Sequence, residues 1–548
     1  MTIHPFFKSI NRAALTGALL TSIAFPALAE TVIHRGNGGE PQSLDQSQIS
    51  IDIEGFIVRD LSEGLTVYDA KGKVIPGTAE SWTVSDDGMV YTFKIRDNAK
   101  WSDGSPVTAA DFVYSMTRVL DPVTAAGYAN ILFPIKNAEA FNQKKAKASD
   151  LGLKAVSDKT LEITLERPTP YFLQLMCHYT AIPVNKASID KYGKDFTKPG
   201  KMVTNGAYML TEYVANDHVT AVKNPHYWDA ANVKIDKVIY NPSEDQSATE
   251  RMFETGELDL VYNFQADQRD FLTKKLSNDH VYASPALSTY YYAFDTRHEP
   301  FSDVRVRKAL SMAIDRDFLA EKIYGGAQLP TYNIVPPGME GYTPPKADIA
   351  DMDQLDREDA AKALLKEAGY GEGGKPLTID IRYNTNENHK KVAIAVADMW
   401  KALGKGSRFT VRLPLARSAE APASAPAIAQ RVDAYLQEAG KFDVARAGWT
   451  ADYADPENFL NLLVSTNKTF NYGHWSNAKF DELMKASYAE RDPAKRMKIM
   501  QDAEAVALSE YSITPMMNYA SLWLVNHKVK GFEENLVNEH LTKYLSLE

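Results

Sequence analysis

The feature that most constrains this fold stands at its start: Lys8 and Arg12 precede a small and apolar run over residues 13–25, followed by Ala27-Leu28-Ala29. That pattern is a secretory leader, with cleavage expected before Glu30, so residues 1–29 do not belong to the fold and the remainder folds after export. Thr16, Gly17, Thr21 and Ser22 interrupt the hydrophobic stretch. It falls short of the roughly 20 apolar residues that span a bilayer. No cysteine stands at the cleavage point to accept a lipid, and the expected product is soluble and periplasmic.

Export to an oxidising compartment would permit disulfides, yet Cys177 is the only cysteine, so no intramolecular bridge can form. In Leu-Met-Cys-His-Tyr it reads as a small buried hydrophobe. The 519 residues after the leader must therefore be held by burial alone. With 44% hydrophobic residues in the chain they can build several domains. Without the leader's two cations, 59 basic residues face 71 acidic ones. An acidic balance argues against a nucleic-acid partner, which calls for a basic face.

Strand and helix patterns alternate without a detectable repeat, the mark of an α/β chain. In residues 90–95, Tyr91, Phe93 and Ile95 share one face of a strand that follows the turn Asp86-Asp87-Gly88. From Ser302, read as an N-cap, Val306, Ala309, Leu310, Ala313 and Ile314 fall on one helix face. A second helix buries Ala361, Leu364, Leu365 and Ala368 and stops at Gly369. Residues 418–427, rich in Ala and carrying two prolines, have neither period and read as a surface loop or linker.

Catalytic signatures fail on context. Residues 369–375 have the glycine and lysine spacing of a phosphate loop, but Pro376 stands where a hydroxyl should hold magnesium, and the segment follows a helix. A helix-to-strand turn is the better reading. Gly36-Asn-Gly-Gly-Glu40 begins like a dinucleotide fingerprint and then meets Pro41. There is no Gly-x-Ser-x-Gly elbow and no His-Glu-x-x-His, and the histidines show no metal spacing, so no cofactor and no metal are expected. A pair of acids like that of a glycosidase stays open, because distance defines it.

A series of stretches in fixed order carries more information. They are Glu40-Pro-Gln-Ser-Leu-Asp45, Arg59-Asp-Leu-Ser-Glu-Gly-Leu65, Ala79-Glu-Ser-Trp82, Lys100-Trp-Ser-Asp-Gly104, Val107-Thr-Ala-Ala-Asp-Phe-Val-Tyr114, Val203-Thr-Asn-Gly-Ala-Tyr208, Asn224-Pro-His-Tyr-Trp228, Gly256-Glu-Leu-Asp259, Phe301-Ser-Asp-Val-Arg-Val-Arg-Lys-Ala-Leu310 and Phe442-Asp-Val-Ala-Arg-Ala-Gly-Trp449. Together they resemble the oligopeptide-binding proteins of ATP-driven (ABC) peptide importers, the large three-domain class of periplasmic binding proteins. The resemblance implies a two-lobed α/β clamp with an extra third domain, closing by hinge motion. It divides the chain into a discontinuous lobe I (30–62, 186–287 and 518–548), an extra domain (63–185) and lobe II (288–517). It implies a binding protein and not an enzyme, a monomer, with short peptides as ligand and an inner-membrane ABC permease and ATPase complex as partner.

To hold peptides regardless of sequence, a protein must grip backbone amides and the two charged ends. Strand addition serves the first, and the resemblance places it at Ser50 to Asp52 and at Gly448 to Thr450. Asp452, in Trp449-Thr-Ala-Asp452, matches the family's acid for the α-ammonium. Asp455 does not match that role and reads as part of a turn before Pro456. Arg446 and His389 match cations for the carboxylate end, although His389 taken alone is a solvated residue at a helix start. Tyr324 replaces a usual lysine. Tyr128, Trp449 and Tyr519 fall at aromatic contact positions, and residues 418–427 stand near where the family carries a tryptophan. A dipeptide, a murein peptide or a nickel chelate remains an alternative ligand on the same fold; a peptide hydrolase and a chaperone-like binder are the alternatives of other classes.

Overall fold

The computed structural model describes residues 30–49, 51–277, 280–371, 373–383, 387–404, 409–413, 442–468 and 470–548. The leader, Ser50 and residues 418–427 lie outside them, and so do the expectations placed there. Residues 31–548 form one unit.

Its centre is an 11-stranded mixed sheet, whose order runs Phe409–Arg412, Leu377–Arg382, Val444–Thr450, Val281–Phe294, Ile513–Val525, Leu260–Tyr262, Val32–Gly36, Lys237–Asn241, His218–Lys223, Tyr208–Val214, with the short strand Leu329–Pro330 pairing off this path to Ile513–Val525. The two longest strands, Val281–Phe294 and Ile513–Val525, lie side by side in the middle and belong to both ends of the sheet. They pair antiparallel, Val281 to Pro285 against Leu524 to Ala520 and Thr289 to Ala293 against Asn518 to Ile513. Between Pro285 and Thr289 the register breaks. A break of this kind bends and twists a strand pair, and Ala286, Leu287 and Ser288 at this break line a cleft.

A separate four-stranded antiparallel sheet, Ala79–Val84, Val90–Ile95, Thr160–Thr164, Leu153–Ser157, packs with helix Ala109–Leu120. As the alternation predicts, Tyr91, Phe93 and Ile95 are buried on one face of its second strand. The cores follow the same division. One gathers residues from Leu65 to Ala181; a second gathers Ile33 to Leu61, Tyr179 to Leu260 and Trp523 to Leu545. Two more draw on residues between Leu287 and Met517.

Local chemistry sets the element ends. Helix Val304–Met312 is capped by Asp303, whose carboxylate accepts from the Arg305 N–H, so the cap lies one residue beyond Ser302. Val306, Ala309 and Leu310 are buried as their spacing demands, while Ala313 and Ile314 are buried just past the helix end. Helix Gln354–Glu367 ends before Gly369, which sits at φ +88°, a left-handed conformation cheap only for glycine. Strand Leu377–Arg382 follows, so the described residues of this stretch, 369–371 and 373–375, lie in the expected helix-to-strand turn.

Several of the motifs meet around buried acids. The Glu63 carboxylate accepts from Trp228 Nε1 at 2.7 Å and Lys543 Nζ at 2.8 Å, and the Glu63 carbonyl accepts from Asn205 Nδ2 at 2.9 Å. Asp45 takes a bidentate bond from Arg118 at 2.6 and 2.8 Å. These residues tie distant segments together. Cys177 is buried against the Thr66 hydroxyl, 3.3 Å away, and burial pushes its thiol up to about 12.

Candidate ligand-binding cleft

Where the central strands break register, a cleft of about 960 Å³ opens, and among the described residues it collects Asp52, Tyr128, Tyr324, His389, Arg446, Gly448, Trp449, Thr450, Asp452 and Tyr519. All the predicted contact residues except Ser50 thus line one space.

Its spine is strand Val444–Thr450. One edge pairs antiparallel with Val281–Phe294 along its whole length, from Phe294 opposite Val444 to Ser288 opposite Thr450. The other edge pairs with Leu377–Arg382 only at Val444 and Ala445. From Ala447 to Thr450 that second edge has no further strand partner among the described residues. It is an open sheet edge inside a cleft, and main-chain donors and acceptors on such an edge can accept another strand. The Asp52 side differs from the expectation. Ile51 is extended (φ −134°, ψ 155°), but Asp52 opens helix Asp52–Leu61, so it presents a first-turn N–H and a carboxylate rather than strand backbone.

Charge is separated along the cleft. At one end Asp452 follows the strand, its N–H donating to Asn458 Oδ1 at 3.3 Å, while the same oxygen accepts from Trp449 Nε1 at 2.7 Å. Asn458 therefore fixes the acid and the aromatic together. Burial pushes the Asp452 carboxyl up to about 7, with bonding to Asn458 opposing and the Asp52 charge reinforcing. Asp52 is raised as well, by desolvation first, against the pull of Arg59. Glu539 is pushed up to about 7 by burial despite its 2.8 Å ion pair with Arg59. Three acids and one arginine make this end short of positive charge.

The opposite end is basic. The Arg446 guanidinium donates to the Tyr519 hydroxyl and lies 4.8 Å from the Tyr290 ring centroid. Burial works against its charge, but the surrounding phenols outweigh it and Arg446 stays cationic. Gly448 makes room for that pair: a Cβ there would lie 3.1 Å from Arg446 Nη2 and 3.3 Å from the Tyr519 hydroxyl. His389 departs from its reading as a solvated residue. It lies on helix Glu387–Ala402 and is buried, edge-on to Tyr290, not solvated. Burial and then the Arg446 charge push its imidazole down to about 3, so without ligand it is neutral and no standing cation. Tyr324 is buried near Tyr519 and Arg446, and its hydroxyl has no hydrogen-bond partner among the described residues.

Aromatic walls complete the space: Tyr128 lies 5.6 Å from His178 and 6.1 Å from Tyr179 between ring centroids. Sequence reasoning missed His178, Tyr179, Arg59, Glu539 and Asn458. The only local signal was the Cys177-His178-Tyr179 run, read for its cysteine alone. Asp455 proves to be more than a turn residue: it is buried in a bidentate pair with Arg496 at 2.7 and 2.8 Å that anchors the loop behind Asp452.

Residues 73–471 match the family of bacterial extracellular solute-binding proteins, family 5. The chain is 39% identical over 528 residues to the periplasmic oligopeptide-binding protein OppA of Escherichia coli K12, spanning 95% of this chain and 94% of that one. Two solved structures superpose over nearly the whole length. The murein tripeptide binding protein MppA of Escherichia coli gives a TM-score of 0.80 at 37% identity, covering 95% of this chain and 99% of its own. OppA of Haemophilus influenzae, in complex with RPPGFSPFR, gives 0.78 at 35% identity, covering 95% and 99%. The fold is the two-lobed α/β clamp with a third domain. The chain belongs to the bacterial extracellular solute-binding proteins of family 5.

Proposed function

We propose that this protein captures short peptides in extended form in the periplasm and delivers them to an ABC importer, without chemistry on the ligand. The observation that carries the reading is the strand edge from Ala447 to Thr450, which pairs with no further strand among the described residues and lies between a cationic Arg446 and an acidic end at Asp452. A zwitterion with a backbone of its own fits all three features. Names of relatives that bind oligopeptides and a murein tripeptide support it. Six residue steps lead from Arg446 to Asp452, at most about 20 Å. The two long side chains and the two ligand ends take up part of that span, which leaves room for about three to four ligand residues at roughly 3.3 Å each.

In this reading the ligand's backbone adds to the Gly448 and Thr450 edge, with Asp52 and its first-turn N–H on the facing wall. Asp452 takes the α-ammonium. Arg446 takes the carboxylate, and a bound carboxylate next to His389 would raise that imidazole toward protonation. Trp449, Tyr128 and Tyr519 flank the side chains. Lobe I would comprise 30–62, 186–287 and 518–548, the extra domain 63–185 and lobe II 288–517; the separate cores and the register break beside residue 287 support that division. The protein would act as a monomer, with the leader removed before Glu30 and an inner-membrane permease and ATPase complex receiving the ligand.

Titration calorimetry with free, N-acetylated and C-amidated forms of one tripeptide tests this. Strong binding of the free form alone, with the peptide recovered uncut by chromatography, is expected. Equal binding of all three forms, or recovery of fragments, overturns it.

A further inference from the structure

The loop that carries Asp452 is held from two sides, and one of them has no part in the cleft's own chemistry. Gln174, on the short helix Phe172–Leu175, belongs with the four-stranded sheet and its core. Its Oε1 accepts from the Ala454 N–H at 2.6 Å, and its Nε2 donates to the Ala454 carbonyl at 3.3 Å. One side-chain amide thus occupies both main-chain groups of a residue two places from Asp452. Beside it Tyr171 stacks on Tyr453, centroids 4.4 Å apart and planes at 7°. Arg167 lies 4.7 Å from the centre of the Tyr488 ring.

These contacts join parts of the chain that have separate cores, one ending near Ala181 and the other beginning at Leu287. A second cavity, of about 470 Å³, lies along the same seam and reaches Asp452 and Tyr453, so the seam is bridged at points and not packed throughout. A cleft that admits and then encloses a ligand must part along this seam. Gln174 makes bonds that exist only when the seam is shut.

We propose that Gln174 is a positioning residue: its paired bonds to Ala454 form a latch that makes the third domain a participant in ligand retention by fixing the Asp452 loop in the shut state. The inference rests on the peptide-binding reading. A latch made after entry slows escape and leaves entry untouched, whereas a residue needed for folding weakens the ligand-free protein too.

The test is Gln174→Met, which keeps length and volume and removes both bonds, compared with Gln174→Glu, which keeps the acceptor for the Ala454 N–H. Stopped-flow chase of a fluorescent tripeptide should show dissociation about 10-fold faster for the Met variant, the worth of one to two neutral hydrogen bonds. The Glu variant should fall between it and the parent, and association rates should agree within about two-fold. The melting temperature should drop for the peptide-bound Met variant and hold for the ligand-free one. Unchanged dissociation in a parent that binds the peptide overturns the latch alone, and so does an equal drop in melting temperature with and without peptide. A parent that binds no peptide overturns the reading beneath it, and the latch with it.

Discussion

Replacing Asp452 by asparagine keeps the side chain's shape and removes the charge assigned to the ligand's ammonium. Its size can be worked from the site. Asp452 is half-buried, and desolvation, reinforced by the Asp52 charge, pushes its carboxyl up to about 7. An ammonium docked beside it must therefore be compensated by the carboxylate rather than by solvent. Removing one partner of such a pair costs about 3 to 5 kcal/mol, because the other charge is left buried, and that is roughly two to four decades in affinity. The measurement belongs near about pH 7.5, where most of the parent carboxyl is ionised and most of the peptide's α-amine still carries its proton. Acetylating the peptide's N-terminus removes the opposite charge, so calorimetry on parent and Asp452→Asn, each with free and acetylated peptide, closes a double-mutant cycle. The parent should reject the acetylated peptide, and the variant should discriminate much less. If the two losses add, with a coupling energy near zero, Asp452 does not hold the amine and the reasoning fails.

Because the Asp452 carboxyl is pushed up to about 7, peptide affinity of the parent should weaken by up to about tenfold per unit as pH falls from 7 to 5, with proton release on binding, and should weaken again above about pH 8 as the ligand's α-ammonium loses its proton; Asp452→Asn should lose the acid-side slope. The same shift has a stability consequence: a folded pKa above the unfolded 3.8 means that ionisation destabilises the ligand-free fold above pH 7, a penalty relieved as pH falls through 7 towards 4. Asp452→Asn should then raise the ligand-free melting temperature at pH 8 and leave it unchanged near pH 4; the same rise at both would point to a packing effect. Arg446→Ala should weaken peptides of about three to four residues more than longer or shorter ones, and a uniform loss from di- to pentapeptides in calorimetry would make Arg446 structural. Gly448→Val should push Arg446 and Tyr519 apart at the point where a Cβ already meets them, lowering affinity at least tenfold with about 1 to 3 kcal/mol lost in denaturant unfolding; full retention of affinity would show that the pair is not a carboxylate site.

The part of the site legible in the sequence is the part that is local. Residues 442–452 hold a strand, its glycine, an arginine, an aromatic and the terminal acid within one short stretch, so the resemblance could place them and the fold kept them in one cleft. What stayed hidden depends on segments that meet only after folding. Glu539 faces Arg59 across 480 residues, and nothing near either marks the pair. His389 shows why helix periodicity misjudges a single residue: a position near a helix start is exposed unless another element covers it, and here Tyr290 does. Asp455 reads as a turn former because Arg496, which pairs with it, stands 41 residues away. Ser302 and Asp303 are adjacent good caps, and only the Arg305 N–H decides between them. At the level of fold, alternation identified the half-buried strand at Val90–Ile95. The two long central strands, which cross from one end of the sheet to the other, give no such alternation because they are buried on both faces over much of their length.

The central claim is that the native ligand is a short peptide with both ends free. Protein purified from its own periplasm without added ligand, then denatured, releases what it holds for mass spectrometry. The account predicts uncut peptides of mixed sequence, mostly about three to four residues long, in up to stoichiometric amount. A stoichiometric non-peptide ligand, or peptides blocked at either end, would contradict it.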